Sequence, residues 1–216
     1  MPNESIFILL SMVAITLVIS YVTLITVVNA YGASTYENED LGIRLDYPSN
    51  WTVYPPLINK LSGSGIVLLN PNNSTDEGYF SISRAPSDNV GLTDYLGSLH
   101  QQIMKEAEDL GYGLEFVDDN QTSIGKSNNS AWQIQYHELV DPVVNNIREQ
   151  RGLEISHNDT SLYWITEMND SFYTFKFRSN IGENFVKYYP DAKSILESVE
   201  FIPTSLERIP SFMQLS

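Results

Sequence analysis

The chain has 216 residues, of which 27 are acidic and 12 basic, so its formal net charge is -15. That length fits one domain with an appendage, and the 42% hydrophobic and 12% aromatic fractions are those of a packed core. The acidic excess argues against a nucleic acid as partner, because phosphate binding needs a basic face. The absence of cysteine excludes disulfides, thiolate metal sites, cysteine nucleophiles and a lipid anchor on an N-terminal cysteine.

The N-terminal region contains a long apolar stretch, residues 6–28, without a charged side chain. As a helix it would reach about 35 Å, enough to cross a hydrocarbon core of ~30 Å. A signal peptide cleaved after Ala30 is the alternative, because small residues precede that position. The stretch is longer than a usual signal core, which favours a retained transmembrane anchor within residues 1–30. Cleavage stays open, and detection of residues 1–30 in the mature membrane protein would distinguish the two.

Two features predict that the remainder of the chain lies outside the cytoplasm. Acidic residues follow the apolar stretch, and the first basic residue is Arg44, whereas cytoplasmic flanks are usually rich in Lys and Arg. The chain also carries seven Asn-x-Ser/Thr sequons beyond the apolar stretch, which predict a glycoprotein. The candidate glycosylation sites are Asn50, Asn72, Asn73, Asn120, Asn128, Asn158 and Asn169.

The first half of the domain is predicted to consist of short strands followed by a helix. Residues 42–47 alternate apolar and polar side chains, and the stretches 51–53, 65–69 and 79–83 also resemble strands. A helix follows, with Thr93 as the expected N-cap and Gly111 as its end. Its apolar positions recur at the helical period and are Leu92, Leu96, Leu99, Ile103 and Leu110.

The second half is predicted to contain further strands and a closing helix. Two strands are expected at Leu114–Val117 and Ala131–Leu139, and Leu162–Glu167 with Phe172–Arg178 should form a hairpin. Pro190 is expected to start the last helix, over 191–198.

Strands that are adjacent in sequence, combined with helices, favour an antiparallel α+β fold. We assign residues 31–35 to a linker, 36–202 to the domain and 203–216 to a C-terminal tail.

Two short segments resemble the PsbP-like family. The segment 36–51 is similar to the Gly-strand-Tyr-Pro-x-x-Trp start of these domains, with Gly42, Tyr47, Pro48 and Trp51 in the matching places. The segment 188–201 resembles the last helix and closing strand of the family. The aromatic hairpin before that helix fits the same order, so the resemblance covers residues 36–202.

The resemblance implies an antiparallel sheet sandwiched between helices, a fold shared with Ran-binding Mog-type proteins. Within the family the chain is most similar to anchored or secreted archaeal and bacterial members without a known activity. Photosynthetic members are extrinsic lumenal subunits that help retain calcium and chloride at the water-oxidising centre. The matched positions build the fold, so the resemblance transfers no binding residue to this chain.

The three histidines are the first candidates for chemistry. Strand alternation places His137 on the face opposite Tyr136, which predicts a surface histidine or one beneath a helix. His100 lies beside the apolar stripe of the first helix, and His157 lies in a polar stretch. None has the spacing of a zinc site, and no nucleophile elbow or phosphate loop occurs.

Carboxylates offer two weaker candidates. The segment 118–120 could supply oxygen ligands to calcium, although it lacks the spacing of an EF-hand loop. Other carboxylates could join His137 in an enzyme site only if the fold brings them together. These residues are Glu138, Asp141, Glu149 and Glu154.

These observations give one leading hypothesis and two alternatives for function. The leading hypothesis is a non-catalytic binding or accessory module, tethered outside the cytoplasm and binding an unidentified protein or small ligand, without a cofactor. The first alternative is an extracytoplasmic hydrolase or metal-dependent enzyme built on His137 and scattered carboxylates. The second is a calcium binder, which a calorimetric titration would test.

Overall fold

The computed structural model describes residues 32–54, 64–71, 78–140, 159–180 and 183–204, together with residues 146 and 150. The predicted anchor and the cleavage position Ala30 lie outside these residues, as does the tail from residue 205 onward. Across the ranges just given, no helix is both long and apolar enough to cross a membrane.

The structure gives the bounds of ten strands and two helices in the described part of the chain. They are β1 (Ala33–Asn38), β2 (Ile43–Pro48), β3 (Thr52–Tyr54), β4 (Ser64–Leu69), β5 (Tyr79–Pro86), α1 (Leu92–Leu110), β6 (Tyr112–Ile124), β7 (Asn129–Val140), β8 (Asp159–Met168), β9 (Ser171–Asn180), α2 (Glu183–Ser198) and β10 (Glu200–Phe201). Seven strands form an antiparallel sheet in the order β3-β4-β5-β9-β8-β7-β6, and β1-β2-β10 form a small second sheet.

The larger hydrophobic core lies on the face of the seven-stranded sheet that α2 and the small sheet cover. Alternation along β9 directs Tyr173, Phe175 and Phe177 to this face, and all three are buried. They pack with buried residues of α2, among them Ala192 and Ile195. This core holds the helix and both sheets together.

A smaller core lies on the opposite face, under α1. Its buried members are Ile103 of α1 with Ile134, Tyr136, Tyr163 and Ile165 of the sheet. The sheet therefore lies between two helices. This arrangement confirms the predicted antiparallel α+β class for the described part of the chain.

The turn between β6 and β7 contacts the C-terminal end of α2. The Gly125 N–H donates to the Leu196 carbonyl at 3.2 Å, and the Lys126 N–H donates to the Val199 carbonyl at 3.0 Å. These bonds satisfy carbonyl groups at and just beyond the end of the helix, where no further helical N–H groups are available as donors. Gly125 has a φ of 71°, and a Cβ there would lie 2.5 Å from the Val199 oxygen. The close approach therefore requires glycine.

The prediction that Pro190 starts the last helix is wrong. Helix α2 begins seven residues earlier, and Pro190 lies inside it. Phe185 and Tyr189 stack with centroids 5.2 Å apart and both contact Phe177, so core packing favours helix before the proline. Pro190 has no N–H to donate to the Val186 carbonyl four residues earlier, so the helix lacks one backbone hydrogen bond at this turn.

The C-terminal end of the first helix agrees with the prediction, and the N-terminal end does not. Gly111 ends α1 with a φ of 76°, as predicted. The N-cap, however, is Gly91 rather than Thr93, and it makes no side-chain cap. Leu92 packs against the smaller core, so the helix already includes residue 92. Thr93 then lies exposed inside the first turn instead of capping it.

Several strands are longer than predicted. β6 covers thirteen residues instead of the predicted 114–117, because its polar second half pairs with β7. β7 likewise extends beyond the predicted 131–139 at both ends. β1 begins at Ala33, inside the stretch assigned to a linker.

Candidate functional site

A cleft of about 440 Å³ lies between the N-terminal half of α1 and strands β6 and β7. It opens on the face of the large sheet that α1 covers. Its apolar lining consists of Leu92, Leu96, Phe116, Trp132, Ile134 and Tyr136. Its polar lining consists of Thr93, His100, Asp119 and Gln121.

A second cleft of about 600 Å³ follows the C-terminal half of α1 and the start of β6. Both clefts are lined in part by His100, so they are neighbours along the helix, and we call the two together the α1–β6 groove. The second part is lined by Gln101, Met104, Lys105, Ala107, Glu108, Tyr112, Gly113 and Leu114. The groove thus spans both halves of α1.

A β-bulge in β6 determines which side chains reach the groove. Phe116 pairs with Tyr136 and Asp118 pairs with Gln135, so Val117 is an extra residue without a partner in β7. The extra residue shifts the alternation by one position. Phe116 and Asp119 therefore line the same cleft although they are three residues apart.

The polar groups of the groove are hydrogen-bonded to its aromatic residues. His100 Nδ1 lies 2.6 Å from the Tyr136 hydroxyl. The Trp132 indole N–H donates to Asp119 Oδ2 at 3.2 Å. Phe116 meets Tyr136 edge-on with centroids 6.0 Å apart. These contacts hold the aromatic rings in place before any ligand is bound.

Two tyrosines of the groove have raised pKa values. Burial, reinforced by Tyr163 and Asp119, raises the pKa of Tyr136 to about 12. Burial and the nearby Glu138 also raise the pKa of Tyr112 to about 12. Both phenols are therefore protonated at neutral pH.

The rim of the groove combines exposed apolar side chains with negative charge. Met104 and Phe116, which line the clefts, are 45% and 52% exposed, and Val117, the bulge residue next to Phe116, is 41% exposed. Helix α1 and strand β6 together carry seven carboxylates and one lysine. Apolar surface surrounded by polar residues is typical of binding sites.

A buried ionic network lies on the same face of the sheet, in β7, β8 and β9. Arg178 Nη2 is 2.6 Å from Glu138 Oε2 and 2.8 Å from Asp159 Oδ2. Ser161 donates to the other Glu138 oxygen at 2.5 Å. The Glu138 side chain is only 6% exposed. Glu138 is thus committed to an ion pair that stabilises the fold.

A lysine of the same face is held by aromatic rings. Lys176 Nζ lies 5.1 Å from the ring centre of Tyr163 and 5.9 Å from that of Tyr79. Burial by itself lowers the pKa of Lys176, but Tyr163, Tyr79 and Glu138 outweigh this effect and raise it. Lys176 therefore stays charged at neutral pH.

The structure places His137 and Glu138, the two described residues of the predicted enzyme site, on opposite faces of the sheet. His137 lies on the face opposite Tyr136, as predicted, with its side chain 32% exposed. Its Nδ1 is 3.8 Å from Glu115 Oε2, which is longer than a hydrogen bond. Glu138 points to the other face of the sheet. Asp141, Glu149 and Glu154 lie outside the described residues, as does His157.

The predicted calcium ligands in β6 are divided between the two faces of the strand. Asp119 faces the groove, whereas Asp118 and Asn120 lie on the other side of the strand. There the Asn120 Nδ2 is 3.5 Å from the Asp118 Oδ2. No group of three or more His, Asp or Glu side chains suited to a metal occurs among the residues that the structure describes. The calcium role stays a prediction.

The sequons differ in how accessible their asparagines are. Asn120, Asn128 and Asn169 are exposed, whereas Asn50 is half-buried with its Oδ1 shielded. Asn72, Asn73 and Asn158 lie outside the described residues. Glycosylation at any of them stays a prediction.

Apart from His100 and Asp119, the groove residues did not stand out as functional in the sequence. One signal for them was present. Phe116 and Val117 are adjacent apolar residues in a strand, followed at once by Asp118 and Asp119. Two apolar neighbours break the alternation of a half-buried strand and indicate a bulge or an exposed side chain.

A solved structure of another protein shares this fold. PsbP (CyanoP) from the cyanobacterium Synechocystis sp. matches with a TM-score of 0.56 and 12% identity, covering 78% of this chain and 92% of that one. The match confirms the predicted PsbP-like fold.

Two further structures align over most of the chain with lower scores. The Ran-binding protein Mog1p of Saccharomyces cerevisiae has a TM-score of 0.49 and 8% identity, covering 82% of this chain and 98% of that one. LpqN of Mycobacterium tuberculosis, involved in cell envelope biogenesis, has a TM-score of 0.43 and 15% identity, covering 79% and 91%. No family model and no curated protein sequence matches this chain.

Proposed function

We propose that the domain is a non-catalytic binding module that contacts its partner through the α1–β6 groove. The observation that carries this proposal is the groove itself, which combines a preformed aromatic lining with exposed apolar side chains at its rim. Aromatic residues that are fixed and partly exposed are the usual anchors of binding surfaces. Phe116 is the most exposed of these rings and the expected centre of the contact.

The polar groups of the groove favour binding over catalysis. His100 is engaged by the Tyr136 hydroxyl, whose raised pKa keeps it protonated. Asp119 accepts a hydrogen bond from Trp132 instead of orienting His100. A general base needs a partner that orients it toward a nucleophile, and this arrangement does not supply one.

The alternative enzyme centred on His137 receives no comparable support. Among the residues that the structure describes, its nearest carboxylate is that of Glu115, which is 62% exposed and beyond hydrogen-bond reach. His137 also lines neither cleft of the groove. At 3.8 Å this carboxylate does not form the hydrogen bond that would orient His137 as a general base.

The proposed location is outside the cytoplasm, on a membrane anchor or secreted after its cleavage. Its support is the uncharged stretch 6–28, the acidic residues that follow it and the sequons. Asn120, Asn128 and Asn169 are exposed, so they are accessible for modification.

A substitution at the rim of the groove tests the proposed function. In Phe116→Asp, retention of the native partner from mild-detergent membrane extracts should fall at least about tenfold, because a central aromatic residue contributes ~2 kcal/mol or more. Met104→Asp should act in the same direction. The measurement is quantitative mass spectrometry of proteins retained by the tagged full-length chain.

Val186→Asp is the matched control, because Val186 is also exposed but lies on α2, away from the groove. It should retain the partner like the native chain. Thermal melting checks that each variant is folded. Equal retention by folded Phe116→Asp, Met104→Asp and Val186→Asp would show that the groove is not the contact surface.

A further inference from the structure

Strand β6 leaves one edge of the seven-stranded sheet open within the described part of the chain. It is the last strand in the sheet order and pairs there only with β7. Its thirteen residues are mostly exposed. In such a strand, alternate N–H and C=O groups point away from the neighbouring strand, and an extended peptide can pair with them.

The two faces of this edge differ in chemistry. On the face toward α1, Phe116 borders the apolar groove. On the opposite face lie Glu115, which is 62% exposed, and Asp118. The bulge residue Val117, which lies between Phe116 and Asp118 in the chain, adds exposed apolar surface to this edge. A peptide strand added here would therefore meet Phe116, the groove and the Trp132-bonded Asp119 on one face, and Glu115 and Asp118 on the other.

The negative charge of α1 and β6 favours a basic partner. The seven carboxylates of α1 and β6 are Asp94, Glu106, Glu108, Asp109, Glu115, Asp118 and Asp119. Lys105, the single basic residue of these two elements, already pairs with Asp109 at 2.9 Å. Like charges across paired strands repel, so this edge disfavours a second copy of the chain and attracts a basic segment.

We infer that the partner presents an extended segment in which basic and apolar residues alternate, and that this segment adds to the edge of β6. Its apolar side chains enter the α1–β6 groove beside Phe116, and its basic side chains lie over Glu115 and Asp118. The inference rests on the proposed function and adds to it the chemical class of the partner and the way it binds.

Synthetic peptides test this inference with the full chain in detergent micelles. The first probe alternates lysine with valine, the second alternates glutamate with valine, and the third alternates lysine with serine. Calorimetry measures the affinities, and hydrogen exchange measures protection of the β6 amides. The lysine–valine peptide should bind at least about tenfold more tightly than either control, more weakly at higher salt, and should slow exchange in β6.

Other outcomes identify other occupants of the groove. Equal binding of all three peptides, or binding of the lysine–valine peptide without protection of β6, overturns the inference. Protection of β6 that grows with protein concentration alone also overturns it, because it would mean pairing with a second copy. If the lysine–valine peptide fails while Phe116→Asp still loses the native partner, only the partner chemistry is wrong and the proposed function stands.

Discussion

Replacing Arg178 with alanine is expected to lower the free energy of unfolding by about 3–5 kcal/mol. The guanidinium contacts both Glu138 and Asp159, and Ser161 completes the network on Glu138. Without Arg178, two carboxylates with side chains 6% and 15% exposed are left without their cation. Urea denaturation followed by far-ultraviolet circular dichroism measures the loss, which should appear as a lower midpoint with an unchanged slope.

The exposed ion pair of α2 supplies the control for this experiment. Lys193 and Glu197 are 3.8 Å apart with side chains 58% and 64% exposed. Lys193→Ala should change stability by less than about 0.5 kcal/mol, because water solvates both charges. If Arg178→Ala costs no more than Lys193→Ala, the buried network does not stabilise the fold as described.

The second large effect is expected from Gly125→Ala, at about 3 kcal/mol of destabilisation. About 1 kcal/mol arises from placing a side chain at a positive φ. The rest arises because the new Cβ would lie 2.5 Å from the Val199 oxygen, which forces the turn away from α2. The hydrogen bonds from Gly125 and Lys126 to the helix end are then lost, at about 1 kcal/mol each.

Gly111→Ala separates the two contributions. Gly111 also has a positive φ, 76°, but nothing lies within 4 Å of the added Cβ. This variant should lose only about 1 kcal/mol, the conformational part alone. Equal losses in the two variants, measured by the same denaturation, would mean that the turn is not held against α2.

Most of the fold could be predicted from local patterns in the sequence. The alternation in β7 placed Trp132 and Tyr136 on one face and His137 on the other, and the structure agrees. The hairpin around Asn169 and Asp170 was marked by turn residues, which adopt φ values of 49° and 51°. In these segments the local preference and the tertiary packing agree.

The segments that were predicted incorrectly depend on distant contacts. The start of α2 is stabilised by packing of Phe185 and Tyr189 on Phe177 of β9, which no local pattern shows. The polar half of β6 becomes a strand because β7 pairs with it. The groove is harder still to predict, because it forms between α1 and β6 and the bulge at Val117 determines which side chains of β6 line it.

The most direct test of the account uses the absence of cysteine in the native chain. Val117→Cys places a thiol in the bulge of β6, next to the groove residue Phe116, and Val186→Cys places one on α2, at positions 41% and 73% exposed. A membrane-impermeant maleimide then labels each variant in intact cells, before and after a high-salt wash that weakens charge-assisted contacts. The labelling therefore shows on which side of the membrane each position lies and whether a partner covers it.

We predict that Val186→Cys is labelled throughout, whereas Val117→Cys is protected at first and becomes labelled after the wash. Both purified variants should react fully, which establishes that protection comes from the partner. Equal labelling of the two positions before the wash would contradict binding through the α1–β6 groove. Labelling of either position only after the cells are broken would contradict the location outside the cytoplasm.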